Sequence, residues 1–304
     1  MSAAIGWIEG PGEPGRWGSP AALALPLADR GLLLADGVFE TLLVEAGRAW
    51  LLGEHLERWQ RGADGLGLPP PPPRQRLQPL IGAAIARSGI GAPAGEGSGA
   101  GPGGAAGALR LNWSRGSGGR GLEPPAPEEP GCGPRFWLQL SAWTPRFSPL
   151  RTRISRLERR NPHSLLAGCK SFAYAAQVAA RREARLAGAD DALLLSVQGT
   201  LSCGSAANLL LRRRGRWWTP SLASGCLPGV MRRRALELGL AAEAELAPQD
   251  LLAAEAALLI NSLGCRPIAS VDGGALPHLD AAAAESFWRC LLAADQSQPW
   301  VEMR

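Results

Sequence analysis

The 304 residues, 46% of them hydrophobic, supply apolar material for about two domains with cores of their own, which excludes a disordered chain. A formal net charge of +5, with arginines in short groups such as Arg212–Arg214 and Arg232–Arg234, suits small anionic partners and argues against a nucleic-acid partner. Six dispersed cysteines (Cys132, Cys169, Cys203, Cys226, Cys265, Cys290) fit neither a zinc pattern nor a disulfide scaffold and are expected to be reduced thiols. Apolar stretches such as LLAAEAALLI, interrupted by Glu255, fall short of the roughly 20 residues of a membrane span. The opening MSAAIGWIEGPGEPG lacks the basic and apolar segments of a secretory leader, so a cytoplasmic chain with no membrane partner is expected.

In chain order, residues 23–51 read as two strands around a polar turn at Gly47, because GVFETLLVEAGRAWLL alternates apolar and polar positions. Helical spacing from Leu56 to Leu66 predicts a helix in GEHLERWQRGADGLGL, and the prolines of 69–73 lead into a second one, QRLQPLIGAAIARSGI. Residues 89–107 are almost wholly Gly, Ala, Pro and Ser and are expected to form a mobile surface loop. ALRLNWSRG and PRFWLQLSAW resume as strands around the Gly-rich RGSGGRG. That turn could alone be an RNA-binding element, but its flanking strands favour an ordered loop.

Residues 144–150 are the expected linker between an N-terminal domain (1–143) and a larger C-terminal one (151–304). In the second, SFAYAAQVAARREARLAGA predicts a long helix ending at Gly188; DALLLSV, ANLLLRRRG and RWWTPSL read as strands; PGVMRRRALELG reads as a helix; AALLINSLG and RPIASVDG return to strand. No internal repeat is visible, and mixed strands and helices imply an α/β fold.

Lys and Arg total 32, yet Lys170 is the only lysine, so 31 are arginine. Arginine replaces lysine wherever a fixed charge suffices, but a guanidinium cannot deprotonate or act as an amine nucleophile. One retained lysine points to imine formation or general-base work, against the alternative of a survivor on a solvated face. The only tyrosine, Tyr174, lies four residues on, a separation that puts both on one face of a helix. Arg58 in HLERW, Ser205 in GSAAN, the turn SGCLPGV feeding a helix, and Ser262 in INSLG add phosphate-friendly groups. A lysine amine, a phenol, an arginine and such a helix start together describe a pyridoxal phosphate site. His55 and His163 show no acid or metal partner in sequence and read as structural; Cys169 reads as a small packing residue.

DRGLLLADGVFETLL, HLERW, RGSGGRG, RNPHSLLAGCK, GSAANL and GVMR occur in the order seen in class IV (fold type IV) pyridoxal phosphate enzymes, and the chain resembles them from about Asp29 to about Ile268. Within that superfamily the motifs look most like the aminodeoxychorismate lyases. The resemblance implies a two-domain fold like that of D-amino acid aminotransferase, a cofactor in the interdomain cleft, and a homodimer. It makes Lys170 the residue that bonds the cofactor and moves the proton, gives the cofactor phosphate to Arg58 with Ser262 and the backbone of Val230 and Met231, gives the ring hydroxyl to Tyr174, and counts Ser205 and Cys203 among the cofactor-binding residues. Arg115 and Arg120 would face a substrate carboxylate. The implied reaction is loss of pyruvate from aminodeoxychorismate to leave 4-aminobenzoate for folate synthesis. An aminotransferase acting on D-amino or branched-chain amino acids is the alternative, and an inactive cofactor-binding relative is a third reading.

The pattern breaks at Cys203, which stands where family members usually place a glutamate on the pyridine nitrogen; a thiol is a weak donor and gives a weaker electron sink. That loss hurts a transaminase more than a lyase whose product becomes aromatic. Ala173 and Met231 also depart from the commoner Asn and Thr, and the Gly/Ala stretch before residue 107 has no counterpart.

Overall fold

The computed structural model describes residues 4–92, 106–126 and 131–293, and it divides the chain into two units. One comprises Met1–Thr144 with Cys169–Ala173, the other Pro145–Gly168 with Tyr174–Arg304. The segment around Lys170, expected in the C-terminal domain, therefore counts with the first unit. Residues 145–149 of the expected linker count with the second, where the Arg146 carbonyl accepts from the Cys265 amide at 3.1 Å. The Gly/Ala-rich stretch expected to be a mobile loop lies, for residues 93–105, outside the described residues.

The first unit contains β1 (Ile5–Glu9), β2 (Arg16–Gly18), α1 (Arg30–Leu34), β3 (Gly37–Glu45), β4 (Arg48–Ala49), α2 (Leu52–Gly65), α3 (Arg74–Ser88), β5 (Gly107–Ser114) and β6 (Arg135–Ala142). The strands form an antiparallel sheet in the order β2-β1-β6-β5-β3-β4. Its register puts Val38, Leu42 and Val44 beside Trp113, Leu109 and Gly107, and these beside Phe136, Leu140 and Ala142. That apolar face packs with Trp59 of α2 and Leu77 and Ile81 of α3 into one buried core. The hairpin turn at Ala46 and Gly47 has positive φ at both residues, 52° and 78°, matching the right-handed twist of its strands. Short β1 and β2 went unread in the sequence, and α1 lies in the 23–51 stretch expected to be two strands, of which the strands occupy only Gly37–Glu45 and Arg48–Ala49.

The second unit contains β7 (Leu150–Arg160), α4 (Ala175–Leu186), β8 (Asp191–Ser196), β9 (Leu201–Gly204), β10 (Asn208–Arg213), β11 (Arg216–Pro220), α5 (Val230–Glu237), β12 (Ala241–Ala244), α6 (Pro248–Leu252), β13 (Ala256–Asn261), β14 (Gly264–Val271), β15 (Gly274–Ala275) and α7 (Ala281–Ala293). The order β12-β11-β10-β13-β14-β7-β8-β9 returns on itself, because β9 also pairs with β10. Leu193, Leu201, Leu209, Leu259 and Ile268 fill a buried core, each worth about 1.5–3 kcal/mol when fully removed from water. No helix among the described residues is long and apolar enough to cross a membrane.

One element starts later than expected. The helix predicted from Ser171 begins at Ala175, with Tyr174 as its N-cap at φ −106° and ψ 9°. Lys170 and Tyr174 therefore do not share a helical face. The reason lies in what the backbone of Lys170–Phe172 bonds instead.

Candidate active site

β4 pairs only with Val44 and Glu45 of β3, which leaves the N-terminal half of β3 with an open edge. The Lys170 segment fills it. The Phe39 amide donates to the Lys170 carbonyl at 2.9 Å, the Phe172 amide donates to the Gly37 carbonyl at 3.0 Å, and Ser171 bridges Val38. Sheet bonds replace the helical turn that local propensity favours, because unpaired backbone groups are costly when buried. Gly37 is required here: a Cβ would come within 2.3 Å of the Phe172 ring.

The Lys170 Nζ stands 4.3 Å from the centroid of the Phe39 ring, and the Arg110 guanidinium lies 3.6 Å from that ring's centroid. On the parity of the buried side chains of β3 sits one acid, Glu40. It is fully buried and accepts from Arg58 through Nε at 2.8 Å and Nη2 at 2.6 Å, while the His55 Nδ1 lies 2.7 Å from its Oε2. Burial alone would raise the Glu40 pKa, but Arg58 and His55 outweigh it and hold the carboxyl at about 2. Burial pushes the His55 pKa down, with the charges of Arg58 and Lys170 adding to the effect. A neutral His55 facing a carboxylate must carry its proton on Nδ1, since the carboxylate can only accept. His55, for which the sequence showed no acid, thus has one fifteen residues away on a neighbouring strand.

Arg58, expected at a cofactor phosphate, is locked in a two-pronged pair with Glu40 that fixes its orientation. Arg115, expected at a substrate carboxylate, serves as a strut. Its Nε donates to Asp36 at 2.7 Å, and its two terminal nitrogens donate to the carbonyls of Gly67 and Leu66 at 3.0 and 2.9 Å. Arg120 is exposed. A cavity of about 410 Å³ in this unit, lined by Trp59, Trp113 and Pro70–Pro73, contains none of the expected site residues, and both indole N–H groups there already donate to backbone carbonyls.

The second unit brings three turns to one end of its sheet. Asn261 donates from Nδ2 to the Ala206 carbonyl at 3.1 Å, which ties the Asn261–Gly264 turn, with Ser262 in it, to the turn after β9. Asn208 donates from Nδ2 to the Leu227 carbonyl at 2.9 Å, which brings up the start of α5. Gly229 caps that helix, and a Cβ there would fall 1.9 Å from the Asn208 Oδ1. Only glycine lets the helix start so close, and Val230 and Met231 form its first, buried turn, whose backbone N–H groups have no partner within the helix.

Cys203 on β9 is buried and accepts a long contact from the Ser202 hydroxyl at 3.8 Å. Burial raises its pKa to about 11, against the opposing charge of Arg160, so the thiol stays neutral. The Ser205 hydroxyl donates to Asp191 and accepts from Arg181 Nε at 2.9 Å, so it is engaged with its own unit. Sequence reasoning missed Glu40, Asp36, Asp191, Asn208 and Asn261. Of these only Glu40 left a signal, an acid on the buried parity of an apolar strand.

The profile of the family described as Amino-transferase class IV matches residues 37–271, and the chain belongs to that family. Aminodeoxychorismate lyase from Vibrio harveyi is 29% identical over 82% of this chain and 88% of its own length. A bifunctional aminodeoxychorismate lyase / D-amino acid transaminase from Mycobacterium tuberculosis is 30% identical over 64% of this chain and 63% of its own. Among solved structures, the PLP-bound form of a hypothetical aminotransferase from Mycobacterium tuberculosis superposes with a TM-score of 0.77 over 96% of this chain and all of that one, at 22% identity, which establishes the fold.

Proposed function

We propose that this class IV chain is a pyridoxal-phosphate-dependent lyase that converts 4-amino-4-deoxychorismate to 4-aminobenzoate and pyruvate. The observation that carries the reading is the placement of its single lysine: Lys170 is held in extended backbone on the edge of β3, with its amine beside Phe39 and in the field of His55. The donor set fits the cofactor: an amine for its aldehyde, an oriented guanidinium and the α5 N-terminus for its phosphate. When bound, the cofactor supplies an electron-withdrawing ring conjugated to the substrate nitrogen. Lys170 takes the proton from the substrate ring carbon and returns it to the departing enolpyruvyl group. The reading assigns the phosphate to Arg58, fixed by Glu40, to the amides of Val230 and Met231, and to Ser262. Tyr174 serves the ring hydroxyl. Arg120 receives the substrate carboxylate, a role Arg115 is too committed to share.

Cys203 favours elimination over transamination. A neutral thiol cannot hold a ring nitrogen protonated as a carboxylate does, so a reaction whose product becomes aromatic tolerates it better. The transaminase reading keeps support from the bifunctional relative. The deciding experiment loads the protein with pyridoxal phosphate, supplies aminodeoxychorismate and follows 4-aminobenzoate and pyruvate together, with Lys170→Ala as control. Equal release of both, abolished in the control, is the expected result; keto-acid exchange without 4-aminobenzoate would replace the lyase with a transaminase. The reading keeps the expectation of a homodimer, which light scattering checks.

A further inference from the structure

Asp36, in the short link between α1 and β3, accepts two guanidinium groups on one oxygen: Arg115 Nε at 2.7 Å and Arg30 Nε at 3.0 Å. Arg30 is buried, and its remaining nitrogens reach across to the glycine-rich segment. Nη1 donates to the carbonyls of Gly121 and Glu123, both at 3.1 Å, and Nη2 donates to that of Leu122 at 2.9 Å. Three consecutive carbonyls are gathered by one planar, always-charged fork, geometry that an ammonium cannot reproduce. The other end of the segment is pinned separately. The Arg30 amide donates to the Gly116 carbonyl at 2.8 Å, the Gly118 amide donates to the Ala28 carbonyl at 3.3 Å, and Ser117 bridges Asp29. Asp29, itself buried, accepts from the Ser114 hydroxyl at 3.0 Å. Between the two anchors stand Gly119 and the exposed Arg120.

We propose that Arg30 is a positioning residue for the substrate: its buried guanidinium, aimed by Asp36, fixes the far limb of the glycine-rich loop and thereby where Arg120 meets a carboxylate. The proposal rests on the reading of Arg120 given above, and it adds the residue that sets Arg120 in place. The glycines make the loop thin enough to wrap the buried guanidinium; a Cβ on Gly118 would sit 3.0 Å from the Arg30 Cδ. Without that anchor a Gly-rich segment has too much conformational freedom to hold an exposed arginine still.

The test is Arg30→Lys in the full-length holoenzyme, read two ways. Trypsin cleaves after Arg120 only when the loop opens, so cleavage at the Arg120–Gly121 bond should quicken about tenfold in native conditions. The KM for aminodeoxychorismate should rise about tenfold while kcat stays within about twofold and the cofactor titration is unchanged. Arg120→Gln should raise KM alike, and the double variant should be no worse than Arg120→Gln alone, as coupled residues require. Asp36→Asn, checked by thermal melting, gives the same loop release if Arg30→Lys folds poorly. Unchanged cleavage in both variants overturns the proposal. Faster cleavage with an unchanged KM overturns its functional half. If Arg120→Gln leaves KM unaltered, the carboxylate reading itself fails; if it raises KM while Arg30→Lys and Asp36→Asn do not, that reading stands and the role of Arg30 falls. The cleavage readout needs no turnover, so the loop anchor is judged even where the activity is not the expected one.

Discussion

The two units set out their candidate groups in opposite materials. The first uses formal charges in a dry setting: Glu40 between Arg58 and His55, with the Lys170 amine against an aromatic face. The second uses backbone and neutral groups: the amides at the start of α5, two turns tied by Asn208 and Asn261, and a buried thiol. Charges brought out of water are strong only while every partner is present, so the first arrangement is sensitive to pH and to loss of a single group. Backbone amides carry no proton to lose, so the second is sensitive to shape and indifferent to pH.

The largest test of this contrast is Glu40→Gln, which leaves a buried arginine without its anion and should cost about 3–5 kcal/mol, measured by urea denaturation. A cost near zero would mean that the cluster is not the charged keystone of its unit. Next is Gly229→Ala, whose new methyl must displace the Asn208 side chain and should cost about 1–3 kcal/mol. Adding Asn208→Ala should return part of that loss, since the clash is with its Oδ1; no recovery would locate the strain elsewhere.

Acid should act on the charged cluster of the first unit, while the amides at the start of α5 have no proton to gain; in the second unit it reaches carboxylates such as Glu183 and Asp190, whose pKa values are also lowered. Glu40 has its pKa lowered on folding from 4.5 to about 2, so its contribution is complete above 4.5 and is lost as pH falls from there to about 2. His55 is also depressed, from 6.5, so the unfolded chain takes up its proton first and the loss begins just below that pH. Melting temperature followed down in pH should fall through these windows, and Glu40→Gln should flatten the lower one. The smallest effect is expected at Cys203. With a pKa of about 11 it should resist iodoacetamide at pH 9, where a free exposed thiol reacts; rapid alkylation would show that the buried thiol becomes exposed.

Sequence periodicity carried most of both sheets and the helices α2 to α5, because apolar spacing records which face each element buries. It failed where tertiary bonding overrode local preference. Ser171–Ala173 has helical composition, yet its neighbours bond to an open strand edge that no local window can reveal. Partnerships failed for the same reason: Asp36 and Arg115 are separated by 79 residues, and Asp191 lies 14 residues before Ser205. Motif resemblance singled out Lys170, Arg58 and the α5 start, but it could not show that Arg115 is already spent as a strut. Short β9 was hidden because Cys203 and its neighbours were read as a site instead of a strand, and α7 because its alanine-rich start carries little pattern.

The few residues Cys169–Ala173 belong to one unit while the chain on both sides belongs to the other. The lysine is thus carried on a stitch, and the protein cannot be cut into halves that each keep their share. A fragment ending at Thr144 would expose an unpaired strand edge and lack the only side-chain amine; a fragment beginning at Pro145 would hold that amine on a segment with no strand to lie against. A gene split, a permutation or a domain swap at the apparent boundary would therefore separate the single lysine from the strand that holds it.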